Sequence, residues 1–361
     1  MPQPQALPTD WRWPPVFSLV ARCASLEVSR KTYGSTTRVA LVYREVDGIS
    51  ILHFGAGDMW PDVYGRRVMY DPSSLEEESA LSGLARELPL SFEMFPPSSA
   101  AGHTTLAETV DRLAGVATGG FSVTMGAGGG SRQGTRETAV KIGQRTGRPV
   151  KAHLIALGHS RAEALEAADR LWSDGIKKVL ALRGDPPRSG QSRAQGGFRY
   201  ASELVAALRS KHDFQISVAA YPEKHPEAGS LDEDIDHLKK KLDAGASEAI
   251  CQFVLKPEAY GRFLEACERR GVTAPIVPGL MPLGNWPRVR AFAKANGARV
   301  PEELDRLFAN LEDSGDAHLL AAMAVLMEQA RRLVAYGAPA LHIYALNRWE
   351  TPLALARVLG Q

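Results

Sequence analysis

Cysteine is scarce in this chain: only Cys23, Cys251 and Cys267 occur in 361 residues. An odd number at no metal-ligand spacing argues against a disulfide framework and for free thiols in a reducing cytoplasm. Cys251 stands beside Gln252 in a strand-like run and reads as a buried strand cysteine. The nine histidines show neither His-x-x-x-His nor a carboxylate at ligand spacing, so no metal site is expected. Long apolar runs are missing too; none approaches the about 20 residues of a membrane-spanning helix. Met1-Pro-Gln-Pro-Gln5 lacks the basic and apolar regions of a secretory signal. No sign of charge dominates: 43 Lys and Arg offset 41 Asp and Glu, a net +2. That gives no electrostatic case for nucleic acid or an anionic membrane as partner. Finally, no Gly-x-Gly-x-x-Gly follows the first strand-like run, which counts against a dinucleotide-binding open sheet.

What is present is a globular composition, 44% apolar and 23% charged, with a repeated pattern. Unusual polar residues fall at the tails of short apolar runs, just before helix-like stretches. The runs end at Glu93, Thr124, His153, Arg183-Gly184-Asp185, Tyr221 to His225, and Gln252. Parallel strands present their carboxyl ends on one face, so groups repeated there converge on one site. Strands are expected near 88–95, 120–125, 150–156, 177–183, 214–220, 247–253, 274–279 and 340–344, each followed by a helix. The clearest helix opens at Ser160 with Glu163 three residues on, a capping box, and stops at Gly175. Val179-Leu-Ala-Leu182 is apolar without alternation, as in a strand buried on both faces. Two further helices, 301–311 and 316–336, precede the last strand. Eight βα units in roughly 270 residues predict a TIM (β/α)8 barrel, with extra helices before the last strand.

Residues 1–68 break this pattern. They hold one candidate hairpin, Val39–Val46 and Ile49–Phe54 around Asp47-Gly48, and no recognisable motif. They form an N-terminal extension whose role the sequence leaves open, hairpin and disorder being the alternatives; 69–361 form the barrel domain.

Glu93 lies between Phe92 and Met94. Desolvation disfavours the charged form of such a carboxyl, which suits a general acid; the alternative is an ion pair with a rim arginine. Arg183-Gly184-Asp185 offers a cation, a flexible backbone and an anion to a flat ligand, or simply a capped turn. The Gly126–Gly130 loop could present N–H groups to phosphate or merely be mobile. His153 alone reads as a satisfied barrel histidine. Asp234, His237 and Lys241 share one helix face, which periodicity alone assigns to solvent.

In order, Ser91-Phe-Glu-Met-Phe-Pro-Pro97, Val123-Thr-Met-Gly-Ala-Gly-Gly129, Ala181-Leu-Arg-Gly-Asp-Pro186, Ala219-Ala-Tyr-Pro-Glu-Lys-His-Pro-Glu-Ala228, Pro278-Gly-Leu-Met-Pro282 and Tyr344-Ala-Leu-Asn-Arg348 resemble the methylenetetrahydrofolate reductase family. The resemblance runs from about residue 90 to the C-terminus. It implies a barrel holding FAD that reduces 5,10-methylenetetrahydrofolate to 5-methyltetrahydrofolate with NAD(P)H, feeding methionine synthesis. One flavin face used by both substrates implies ping-pong kinetics. It makes Glu93 the acid that opens the folate ring to an iminium, and Asp185 the group beside flavin and pterin. It implies FAD contacts from Thr124, Ala127, His153, Arg183, Gly184, Asp185, Tyr200, Ala201, Tyr221, His225, Ala228, Asp234, His237, Lys240 and Lys241. Substrate contacts fall to Glu93, Asp185, Gln252, Arg288, Phe292 and Arg348. Two departures are Met125, where the family usually has tyrosine, and Arg288, where the best-known bacterial form has glutamine; Arg288 suits an anionic glutamate tail. His237 and Lys240 also differ in side chain from that form. The regulatory domain of animal members has no counterpart in the chain, so no S-adenosylmethionine control is expected. Small-molecule substrates and a homo-oligomer are expected as partners. A pterin-binding methyltransferase barrel without flavin and a non-catalytic barrel subunit are the competing readings.

Overall fold

A computed structural model describes residues 26–33, 36–45, 48–52, 88–125, 132–184, 196–311 and 315–361. The chain divides into two compact units, Met1–Asp71 and Pro72–Gln361. In the first, strands β1 (Leu26–Tyr33), β2 (Thr36–Glu45) and β3 (Gly48–Leu52) form an antiparallel sheet in the order β1-β2-β3. The expected hairpin is the β2–β3 pair, with Glu45 opposite Gly48; Asp47 lies outside the described residues. β1 is a strand the sequence reading did not anticipate; it pairs with β2 from Leu26↔Tyr43 to Tyr33↔Thr36.

The second unit is a closed parallel barrel of eight strands. These are β4 (Leu90–Met94), β5 (Gly120–Val123), β6 (Val150–Ile155), β7 (Lys178–Leu182), β8 (Gln215–Ala220), β9 (Glu248–Phe253), β10 (Ile276–Leu280) and β11 (Leu341–Tyr344). Around them, among the described residues, run α1 (Ala100–Leu113), α2 (Arg132–Thr146), α3 (Arg161–Ser173), α4 (Ala201–Lys211), α5 (Leu231–Asp243) and α6 (Pro257–Arg269). Then come α7 (Trp286–Ala295), α8 (Glu302–Ala309), α9 (Gly315–Ala335) and α10 (Glu350–Val358). Every expected barrel strand is present, and α8 and α9 are the two extra helices expected before the last strand. The ladder closes where β11 pairs with β4, His342 opposite Ser91 and Tyr344 opposite Glu93.

Side-chain alternation sorts each strand into an outward apolar row and an inward, more polar one. On β4, Leu90, Phe92 and Met94 are buried toward the helices, so Ser91 and Glu93 point inward. The outer core is one continuous layer between strands and helices, including Phe92, Val179, Ile216, Ile235, Phe263 and Leu326. Inside the barrel the apolar cluster is small: Leu180, Ile250 and Val277. At the strand starts the interior is closed by the Lys151–Glu248 ion pair, with Ser217 Oγ donating to Glu248 at 2.5 Å. The strand tails are left to polar groups.

Two glycines are required here. Gly184 has φ +83, and a Cβ there would meet Ile155 Cγ2 at 2.2 Å. A Cβ on Gly279 would come within 2.6 Å of the Tyr344 ring, so this glycine lets that ring occupy the barrel interior. The capping box at Ser160 and Glu163 has both reciprocal bonds. α7 starts at Asn285, whose side chain accepts from Arg288 N. It is braced by Trp286 stacked on Phe308 at 5.0 Å and by Asp305, which accepts from both Trp286 Nε1 at 2.9 Å and Arg290 Nε at 2.7 Å. The extra helices thus fix the side of the barrel mouth that carries Arg288 and Phe292.

Candidate active site

The strand tails open into a cleft of about 2410 Å³. The Gly126–Gly130 loop, with Ala127, and Asp185 lie outside the described residues; the other cofactor and substrate contacts that the resemblance implies all line this one cleft.

At its floor stands Glu93. Its Oε2 lies 3.6 Å from His153 Nε2 and 3.5 Å from His342 Nε2. The alternative partner, a rim arginine, is not what the carboxylate faces. His153 is not the satisfied barrel histidine expected from sequence alone. It is 5% exposed, and its Nε2 has no hydrogen-bond partner among the described residues. Burial pushes its pKa down to about 4, against the opposing pull of Glu93. Thr124 Oγ1 is likewise buried without a partner. An unpartnered buried polar group costs roughly 1–3 kcal/mol, so these two atoms make a wall suited to a polar ligand. His342 escaped the sequence reading. It is buried on β11 and hydrogen-bonded through Nδ1 to Ser91 Oγ at 2.8 Å. The available signal was the alternation in Leu341-His-Ile-Tyr344, which puts the histidine inward.

The wall formed by β7, β8 and α5 carries the charged groups. Arg183, beside Gly184, makes a two-pronged ion pair with Glu227, at 2.5 and 2.7 Å; Glu227 also went unnoticed in the sequence. Tyr221 meets the edge of His225 at 4.7 Å, and His225 N donates to Asp234 Oδ2 at 2.9 Å. Burial, then the Arg183 guanidinium, lowers the His225 pKa. On α5, Asp234 is buried, so the helix face assigned to solvent by periodicity is a site wall. The stem of Lys241 is partly accessible, while its ammonium donates to Ala219 O at 2.5 Å. Burial pushes that group down to about 8 although Asp234 opposes the shift. His237 and Lys240 are exposed at the upper edge, with Ala228 half-buried nearby. Tyr200, exposed, is the N-cap of α4, and buried Ala201 follows it.

Further round the mouth, the rim carries Gln252 at the tail of β9, Arg288 and Phe292 on α7, and Arg348 after β11. Phe292 is 45% exposed yet stacks on Phe253 at 5.5 Å, leaving an apolar ring face beside the cleft. Arg288 is exposed one helical turn before it. The loop bearing Arg348 is fixed by Leu346 and Asn347 in left-handed conformations, φ 53 and 55. Asn347 accepts from Phe95 N at 3.0 Å and donates to Phe95 O at 2.9 Å, tying the ends of β11 and β4 together. Met125, at the position of the family tyrosine, is buried in the cleft wall. Cys251 and Cys267 are both buried. Among the described residues, no helix is long and apolar enough to cross a membrane.

A closed parallel barrel whose polar residues crowd the carboxyl ends of its strands is a TIM-barrel protein of enzyme type. The particular family follows from sequence: the family model described as methylenetetrahydrofolate reductase matches residues 79–360, and the chain belongs to that family of oxidoreductases. A 5,10-methylenetetrahydrofolate reductase of Pectobacterium carotovorum is 37% identical over 281 residues, 78% of this chain and 93% of the relative. The Escherichia coli enzyme of that name is 37% identical over 282 residues, 78% and 94% of the two chains. Among solved structures, a Clostridium thermocellum protein described as binding two copies of 5-methyl-5,6,7,8-tetrahydrofolic acid has TM-score 0.54 at 16% identity. It covers 78% of this chain and 98% of its own, a likeness of fold.

Proposed function

We propose that the protein reduces 5,10-methylenetetrahydrofolate to 5-methyltetrahydrofolate with FAD as resident cofactor, NAD(P)H as hydride donor and ping-pong kinetics. The observation that carries this reading is Glu93 at the cleft floor, with one carboxyl oxygen within 3.6 Å of two imidazole nitrogens, in a chain of the methylenetetrahydrofolate reductase family. The cleft also fits FAD. Its volume exceeds the about 300–1,000 Å³ of an ordinary ligand pocket, leaving space for a dinucleotide and a second ligand. The orphaned Thr124 Oγ1 and His153 Nε2 await polar partners, and Arg183, His225, Asp234 and Lys241 offer donors and acceptors along one wall. Bound flavin would supply two-electron chemistry, taking a hydride from nicotinamide and giving it to the folate.

The chain's own groups then do the rest. Glu93 donates a proton to the folate nitrogen N10 as the bond from N10 to the bridging carbon breaks. The resulting iminium carbon takes the hydride and becomes the methyl group on N5. By the family resemblance Asp185 supplies a negative charge to the cationic folate, which favours the ring-opened form. Gln252 and Phe292 hold the pterin and its aromatic neighbour, and Arg288 and Arg348 meet the anionic tail. His153, kept neutral by burial, adds no cation that would hold Glu93 ionised. A homo-oligomer belongs to the same reading.

The test is an absorption spectrum of the purified protein before and after anaerobic addition of each nicotinamide, followed by methylenetetrahydrofolate. Flavin bleached by a nicotinamide and restored by the folate is expected. A colourless preparation that binds pterin would favour the methyltransferase reading. In Glu93→Gln, reduction by nicotinamide should persist, while reoxidation by the folate should fall by at least the ~10²–10⁴-fold of a general acid. Normal reoxidation would remove Glu93 from this role.

A further inference from the structure

We propose that a bulge in β9 makes Gln252 a hydrogen-bond donor that selects the second ligand by a carbonyl oxygen on the edge of a flat ring. The inference rests on the reading of the cleft as a flavin site shared by nicotinamide and folate. Val277 pairs with Ile250 and Gly279 with Phe253, so β9 advances three residues where β10 advances two. Pro278, between the two pairs, has no N–H for the ladder, and proline inside a sheet is confined to edges, strand starts and bulges. The extra residue of a bulge bends its strand and re-aims its side chains. Ala249 and Cys251 belong to the outer core and Ile250 to the inner cluster, so strict alternation would send Phe253 outward. Its ring instead meets Tyr344, an inward residue of β11, at 6.0 Å and Phe292 at 5.5 Å. The bulge thus turns two consecutive side chains, Gln252 and Phe253, to the cleft side of the strand.

The same bulge sets the polarity of the amide. Val254 N takes the Gly279 carbonyl at 2.8 Å, and Phe253 N donates to Gln252 Oε1 at 3.1 Å. A backbone N–H is met only by the oxygen of an amide, so this contact itself tells Oε1 from Nε2. Gln252 makes no other hydrogen bond among the described residues. Its oxygen is turned to its own backbone, and both N–H groups of Nε2 are left for a ligand in the cleft that Gln252 lines. What they meet must be an acceptor. A nicotinamide carries one in its carboxamide oxygen and a pterin in its ring carbonyl, each on the edge of a flat heterocycle. Phe292, stacked on Phe253, offers a ring face beside them. One amide orientation therefore reads both ligands. Two features hold the bulge in place. Tyr344 donates to the Cys251 carbonyl at 3.0 Å, and a Cβ on Gly279 would meet that same oxygen at 2.6 Å, so only glycine lets β10 come so near.

The experiment uses the full-length flavoprotein and follows flavin bleaching by stopped-flow over a range of reductant concentrations. The reductants are whichever of NADH and NADPH bleaches the flavin and its 3-acetylpyridine analogue, which keeps the carbonyl oxygen and carries methyl in place of NH2. Half-saturation reads binding, while the analogue's own hydride-donating power changes the limiting rate. The two half-saturating concentrations should agree within about threefold, because the amide donor finds its acceptor in both. In Gln252→Glu at pH 8, well above the ordinary glutamate range, Phe253 N keeps its acceptor but the free donor becomes a carboxylate oxygen. Half-saturation should then rise at least about tenfold for the nicotinamide, and likewise for methylenetetrahydrofolate in flavin reoxidation, with flavin content and thermal midpoint unchanged. A rise of about tenfold or more for the acetylpyridine analogue on the unmodified protein would overturn the proposal, because the ligand's NH2 would then be the group that is read. Unchanged half-saturation in Gln252→Glu would overturn it too. The analogue comparison needs no variant and decides alone where Gln252→Glu loses flavin. No bleaching by either nicotinamide would instead overturn the parent reading.

Discussion

Acidification should destabilise this barrel through His153 in a calculable way. In the unfolded chain the imidazole titrates near 6.5; in the fold, burial brings it down to about 4. The folded pKa is depressed, so between these values the unfolded state binds more protons than the folded one. Stability is therefore fully present above about pH 6.5 and is lost as pH falls toward 4. The whole difference, about 2.5 pH units at 1.36 kcal/mol each, is about 3 kcal/mol. From pH 7.5 to pH 5 the same two values give a loss of about 2 kcal/mol. His225, lowered mainly by burial, adds in the same direction. The carboxylates Asp111, Asp169 and Asp174, held below 3.8 chiefly by hydrogen bonds to Arg145, Lys211 and Arg136, are exposed enough for solvent to screen them and act only at lower pH. Urea unfolding at several pH values, followed by circular dichroism, compares the unmodified protein with His153→Asn. The variant should lose about 2 kcal/mol less over that interval with an unchanged denaturant slope. Equal losses in the two proteins would refute a neutral, desolvated His153.

Asp185→Asn should retain flavin but slow folate reduction about tenfold more than nicotinamide oxidation, because only the folate step develops a cation facing it; stopped-flow of the two half-reactions checks this, and equal slowing would make Asp185 a positioning residue. Lys241→Met should keep the fold, since the ammonium is already poorly solvated, yet weaken flavin binding at least about tenfold if its donors serve the cofactor; flavin titration of the apoprotein reads the difference, and unchanged affinity would leave Lys241 only its bond to Ala219. Residues 69–361 expressed alone should fold, hold flavin and turn over as the full chain does; loss of flavin or of the thermal transition would show that the first 68 residues belong to the barrel's stability.

The barrel was legible because a parallel strand buried on both faces leaves an apolar run, and the run's last residue faces the site. Val179-Leu-Ala-Leu182 marks β7 and Arg183 its exit; Ala249 to Gln252 does the same for β9. The capping box at Ser160 announced α3 because both partners lie within one turn. β1 was not legible: its run from Leu26 to Tyr33 is mostly polar, and its pairing with β2 comes from register, which local propensity does not encode.

What escaped the sequence was partnership. Glu93 stood out on β4 as a carboxyl among apolar residues, but one of the two imidazoles that meet it, His342, is 249 residues away. They touch because the ladder closes between the first and last barrel strands, in the register that sets Tyr344 opposite Glu93 and His342 opposite Ser91. Arg183 and Glu227, 44 residues apart, meet in the same way across neighbouring strand tails. Closure also decides the electrostatics. The same histidine at an open sheet edge would be solvated and free to charge, whereas inside a closed barrel the ring of His153 loses its water and stays neutral. The residue types that perform the chemistry are therefore written locally at strand ends, while the neighbours they meet and the burial that keeps His153 neutral come only with the closed register.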